Sequence, residues 1–118
     1  MRAAILALMT THPTGADYRN QTVRIADLAV TKDLLHGLTF ENCQLIGPAV
    51  IAPLGTTQMI RCSWDGDFDA FVWPIPAERT VIGAIGLADC TLIDCRMTRI
   101  GLVVPEDNLD QVKRGFGL

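Results

Sequence analysis

The sequence is short of charge, of aromatic rings and of long apolar runs. Charged residues make up 19% of the 118, where about 25% is usual for a soluble chain. The basic residues are scattered, and no run exceeds the pair Lys113 and Arg114. With a formal net charge of -3, that scatter argues against direct nucleic-acid binding. No stretch approaches the roughly 20 apolar residues that span a bilayer, so no membrane partner is expected and the cytoplasm is the expected compartment. The opening "MRAAILALMTTHPTGA" holds an apolar stretch of about seven residues, at the bottom of the range for a signal peptide, and is read as an N-terminal cap.

The chemical signatures are equally thin. The four cysteines show no C-x-x-C spacing and no nearby histidine, which removes the usual zinc and dithiol readings. No phosphate-binding glycine loop, dinucleotide fingerprint or nucleophile elbow occurs. The run Asp65, Asp67, Asp69 invites a calcium reading, but an EF-hand needs Gly and Glu where this chain has Ala70 and Pro76. His12 and His36 lie far apart and read as turn or rim residues. No metal, no cofactor and no catalytic residue is expected, and the cysteines are expected to be free thiols.

What is present is a repeat. FENCQL at 40–45, MIRCSW at 59–64, LADCTL at 87–92 and LIDCRM at 92–97 share one pattern: an apolar residue, any residue, Asn, Asp or Arg, then Cys, any residue and an apolar residue. IADLAV at 25–30 follows it with Leu28 in the cysteine position. Between residues 84 and 102 the period is five: Ile85, Cys90, Cys95 and Ile100 fill one phase, and Gly83, Ala88, Ile93, Thr98 and Val103 fill another. Both phases are small or apolar. Polar residues alternate with them, as in half-buried strands, and Cys, Ile, Thr and Val favour pleated backbone over helix.

The successive units "ADCTL", "IDCRM" and "TRIGL" resemble the pentapeptide-repeat proteins. The resemblance implies an all-β fold, a short single-stranded right-handed parallel β-helix with four pentapeptides per quadrilateral coil. Central residues would stack inward, and the polar residue before each would face out. The expected single domain runs over 1–118: an N-terminal cap at 1–20, coils over 21–104 with an inserted loop at 65–79, and a C-terminal cap at 105–118. The spacing from Cys43 to Cys62, close to one coil, predicts an interior ladder of Cys43, Cys62 and Cys90, with Cys95 in the same inward phase and rungs about 4.8 Å apart. The cap contains a short helix, with Pro105 and acidic residues at its start, Lys113 and Arg114 in its last turn and Gly115 as its stop. Leu109 and Val112 share one face of it.

Two features bear on function. Polar and aromatic groups converge in "WDGDFDAFVW", so Trp64, Asp65, Asp67, Asp69 and Trp73, with Arg79 and Arg99, form the candidate binding loop. A ring for stacking beside carboxylates or arginines suits a sugar- or nucleotide-like ligand. The competing reading is a loop that simply covers an apolar face. The second feature is the row Leu87, Leu92, Met97 and Leu102, which falls in an outward phase of a quadrilateral coil and would need covering by a second subunit. The sequence therefore points to a non-catalytic binding or scaffold module that self-associates as a homo-oligomer, with a small ligand or protein as its other partner. Alternatives are small-ligand capture at oligomer clefts, a DNA-mimic inhibitor of a nucleic-acid enzyme, and a minimal β-helix carbohydrate-active enzyme built on Asp65, Asp67 or Asp69.

Overall fold

The computed structural model describes residues 16–79 and 81–117. Residues 1–15, with most of the expected N-terminal cap and His12, lie outside the described residues. The strands are β1 (Tyr18–Arg19), β2 (Thr22–Arg24), β3 (Leu34–His36), β4 (Thr39–Glu41), β5 (Gln44–Leu54), β6 (Gln58–Ile60), β7 (Ser63–Trp64), β8 (Val72–Ile75), β9 (Ile85–Ala88), β10 (Thr91–Ile93) and β11 (Arg96–Pro105). Helix α1 spans Phe68–Phe71 and helix α2 spans Leu109–Gly115, with 3-10 turns at Ile25–Ala29 and Glu106–Asn108. One sheet has the order β1-β4-β10-β6. The other runs β3-β9-β5-β11-β7, with β2 joining β5 and β8 joining β11. All of these pairings are parallel.

This architecture corrects the expected all-β single-stranded right-handed β-helix. Strand takes 48% and helix 19% of the structure, so the class is mixed, with two parallel sheets and short helices. Strand order also departs from chain order: β9 lies between β3 and β5, β10 between β4 and β6, and β11 between β5 and β7. Segment 85–105 is therefore seated among strands that precede it, not added to the end of a stack of coils. Nor do corners recur every five residues along the whole chain, because β5 runs for 11 residues without a left-handed residue. A pentapeptide count assumes that each pass rests on the one before it. Parallel pairing requires only a long enough crossover and leaves the choice of neighbour to packing.

The period of five has a local cause. Asp89, Asp94 and Arg99 have φ of 54°, 55° and 57°, and Asn20, Asn42 and Arg61 share this left-handed conformation. Asn and Asp tolerate it best among residues with a side chain, which accounts for their place before Cys43, Cys90 and Cys95. In an unbroken strand side chains alternate between faces with a period of two. One left-handed residue in five resets that alternation, so the residue after the corner and the residue two further on both point inward. Hence Cys90 and Leu92, Cys95 and Met97, and Ile100 and Leu102 are all buried. Beyond the four cysteine units the corner recurs at Asn20 and Arg99, whereas IADLAV lies mostly in a 3-10 turn.

The same geometry corrects the supposed outer row. Leu87 and Leu92 are 0% exposed, Met97 1% and Leu102 3%. Each sits mid-column between two neighbours: Leu87 between Leu35 and Pro53, Leu92 between Phe40 and Met59, Met97 between Leu45 and Trp64, and Leu102 between Ile51 and Val72. They form the centre of the core rather than an oligomer interface. In the other small or apolar phase Ala88, Ile93 and Thr98 are only half-buried, while Val103 is buried.

Residues 65–79 are not wholly a loop, since they contain α1 and β8, and β8 pairs with β11. Pro74 is tolerated in β8 because that strand pairs with β11 alone and so forms a sheet edge. Beyond β11, Leu109 and Val112 of α2, with Phe116, pack on the core.

Candidate functional site

The candidate binding residues separate into three groups. Trp64 belongs to the interior of an aromatic cluster: it stacks on Phe71 at 4.9 Å and 5°, with Phe68 and Phe116 completing the group edge-on. Its indole nitrogen is buried with no hydrogen-bond partner among the described residues. For Trp64 the covering role wins over ligand stacking. Asp67 and Asp69 are exposed at the start of α1, and Arg79 lines a different groove beside Leu34, Leu54 and Val81.

Asp65, Trp73 and Arg99 do come together. They line a shallow groove of about 380 Å³ with Pro48, Phe71 and Gly101. The Asp65 carboxylate accepts the backbone N–H of Arg99 at 3.0 Å, holding the left-handed corner that Arg99 adopts. The Trp73 indole N–H donates to the Ala70 carbonyl at 3.2 Å, which fixes the ring. That ring lies over Gly101, where an added Cβ would sit 3.5 Å from two ring carbons. Trp73 is nevertheless 48% exposed. Among the described residues the Arg99 side chain has no ion-pair partner. A fixed aromatic face beside an unpaired guanidinium can stack on a ring and pair with an anion.

The corners carry their own electrostatics. Along one of them Asn42 donates to Asn20 at 2.8 Å, and Arg61 makes a forked pair with Asp94 at 2.6 and 3.1 Å. That pair holds the Asp94 carboxyl below the usual carboxylate range and raises the Arg61 guanidinium further. Asp89 is held low mainly by the backbone N–H and hydroxyl of Thr56, and also by His36 at 3.1 Å. His36 is thus a rim residue, paired with a corner aspartate.

The cysteine ladder differs from the expected one. Cys43 and Cys62 each neighbour Cys95, because Arg96 lies opposite both Gln44 and Ser63. The backbone bonds from Arg96 N to Cys43 O and from Ser63 N to Cys95 O, both 3.0 Å, lock this row. Cys90 stands in another column, between Leu38 and Thr57. The error follows from strand order, since spacing along the chain presumes neighbours in chain order. Cys62 ends the row, half-buried, and lines a groove of about 550 Å³ with Arg61, Trp64, Gln111 and Phe116. The Cys62 thiol is lowered to about 7 by its interaction with the neighbouring Cys95 side chain, whereas that neighbour and burial push Cys95 up; the two thiols themselves donate to backbone carbonyls, Cys62 to Leu92 and Cys95 to Ile93, both at 3.4 Å. Ionisation falls on Cys62 because it reaches the groove while Cys95 is 1% exposed.

No family model, no curated protein and no solved structure matches the chain. Among the described residues no helix is long and apolar enough to cross a membrane, and no cluster of metal-ligating side chains occurs.

Proposed function

We propose that the protein is a non-catalytic binding module that takes a small anionic ligand bearing a ring, nucleotide-like or sugar-like, on the face formed by Trp73 and Arg99. The observation that carries this reading is the half-exposed, hydrogen-bonded Trp73 ring fixed beside an unpaired Arg99. A ring held in place loses little freedom when a ligand stacks on it, and a nearby guanidinium selects for an anion. The groove is shallow, so ligand chemistry more than enclosure would set the affinity. Support for the hydrolase alternative is weak, because of the three loop aspartates Asp65 alone faces this groove, and it is engaged with the Arg99 backbone.

The test is a tryptophan-fluorescence titration with adenosine monophosphate and, separately, glucose 6-phosphate. Saturable quenching by either probe is expected, abolished by Trp73→Ala and weakened about tenfold or more by Arg99→Gln, a loss of about 1.4 kcal/mol. Absence of saturation with both probes, or a response that Trp73→Ala leaves unchanged, would overturn the reading.

Self-association is a second reading, moved to a different surface. Leu34, Leu54 and Val81 line an apolar groove of about 330 Å³ and remain 46%, 49% and 39% exposed. The adjoining Ile82 is 97% exposed, which suits a contact with a second copy.

A further inference from the structure

The four cysteines fall into two classes that the sequence does not separate. Cys90 is a buried thiol in a column with Leu38 and Thr57, while Cys43, Cys95 and Cys62 stand in a row across adjacent parallel strands. Neighbouring strands lie about 4.8 Å apart, inside the Cα separation of roughly 4.4–6.8 Å that a disulfide spans. One end of the row opens to solvent: Cys62 lines the groove beneath α2, beside Arg61 and Gln111. Cys95, its neighbour across the pairing of β7 with β11, is sealed in the core. An accessible thiol backed by a buried one is the arrangement a peroxide-reactive pair needs, with the first sulfur attacking and the second resolving. The readier ionisation of Cys62 puts the nucleophile at the accessible end.

We propose that Cys62 and Cys95 form a peroxide-oxidisable pair, Cys62 being the site of attack and Cys95 the resolving thiol. In the first step the Cys62 thiolate attacks one oxygen of hydrogen peroxide. The S–O bond forms, the O–O bond breaks and hydroxide leaves, so sulfur is oxidised by two electrons and peroxide is reduced. In the second step the Cys95 sulfur attacks the Cys62 sulfenic acid. The S–S bond forms and the S–O bond breaks, and the hydroxyl leaves as water with the Cys95 proton. The inference is independent of the Trp73 groove, since it uses different residues and a different reagent.

The experiment treats the reduced full chain with hydrogen peroxide near neutral pH, counts thiols and maps linked peptides by mass spectrometry. The native chain is expected to lose two of its four thiols, with Cys62 and Cys95 in one reducible linked peptide within a single chain. Cys95→Ala is expected to hold Cys62 as a sulfenic acid that dimedone captures. Four surviving thiols in the native chain, a linked pair other than Cys62 with Cys95, or a disulfide between chains would each overturn the proposal. Because the native chain carries the decisive readout, a folding defect in the variant leaves the test intact.

Discussion

Two regions built on the same motif meet opposite fates. LIDCRM in segment 85–105 and MIRCSW in segment 58–75 lie side by side, with Leu92 opposite Met59 and Met97 opposite Trp64. Cys95, Leu92 and Met97 are buried, whereas Cys62, Met59 and Trp64 are only half-buried. The difference comes from position and not from residue type. Segment 85–105 has a strand on each side for most of its length, while β6 and β7 end their sheets. The central pass therefore supplies the core, and the edge pass supplies grooves and a reactive thiol.

The harshest way to break this comparison is the double change Leu92→Ser and Met97→Ser. Each removes a central core side chain and buries a hydroxyl, so their combined cost rivals a typical total stability of about 5–15 kcal/mol. The variant is expected to lose its far-ultraviolet circular dichroism signature and cooperative urea unfolding. A folded variant whose only change is a lower solution mass would instead return the row to an interface.

A milder change sharpens the contrast within one column. Leu92→Ala is expected to cost about 2–5 kcal/mol in urea denaturation, and Met59→Ala clearly less, because its side chain is already half in water. Equal costs would mean that the edge position is as enclosed as the centre.

The smallest effect expected is on the acid limb of stability. Asp89 and Asp94 have folded pKa values below the usual one, the first through Thr56 and the second through Arg61. Their contribution is therefore fully present above about pH 3.9 and is lost as pH falls through the lower folded values. Asp94→Asn should leave a shallower acid limb and nearly unchanged stability in high salt, since both side chains are exposed. A variant limb as steep as the native one would remove these corners from the pH response.

Parts of this were legible in the residues. The period of five was readable, and so was the inward turn of Cys43, Cys90 and Cys95, which are small and apolar; the polar residue before each was expected only to face out, and its positive φ makes it a corner. Helix signals from Pro105 to Gly115 fall on the 3-10 turn Glu106–Asn108 and on α2, which takes in Gly115, the expected stop. Of the candidate site, Asp65, Trp73 and Arg99 do meet, but Trp64 is drawn into the aromatic cluster by Phe71 and Phe116, and Arg79 lies at another groove. Neither aromatic partner of Trp64 could be assigned to it from spacing alone.

The sequence by itself determined the corners and the period of five, because backbone conformation answers to neighbours along the chain. It could not determine that the residue two beyond each cysteine also points inward, since one left-handed residue resets the alternation. It could not determine which pass lies in the middle either. Only the tertiary structure placed segment 85–105 between older neighbours, buried Leu87, Leu92, Met97 and Leu102, and paired Cys95 with Cys62. Parallel strands choose partners by the apolar columns they complete, and those columns join residues far apart in the chain.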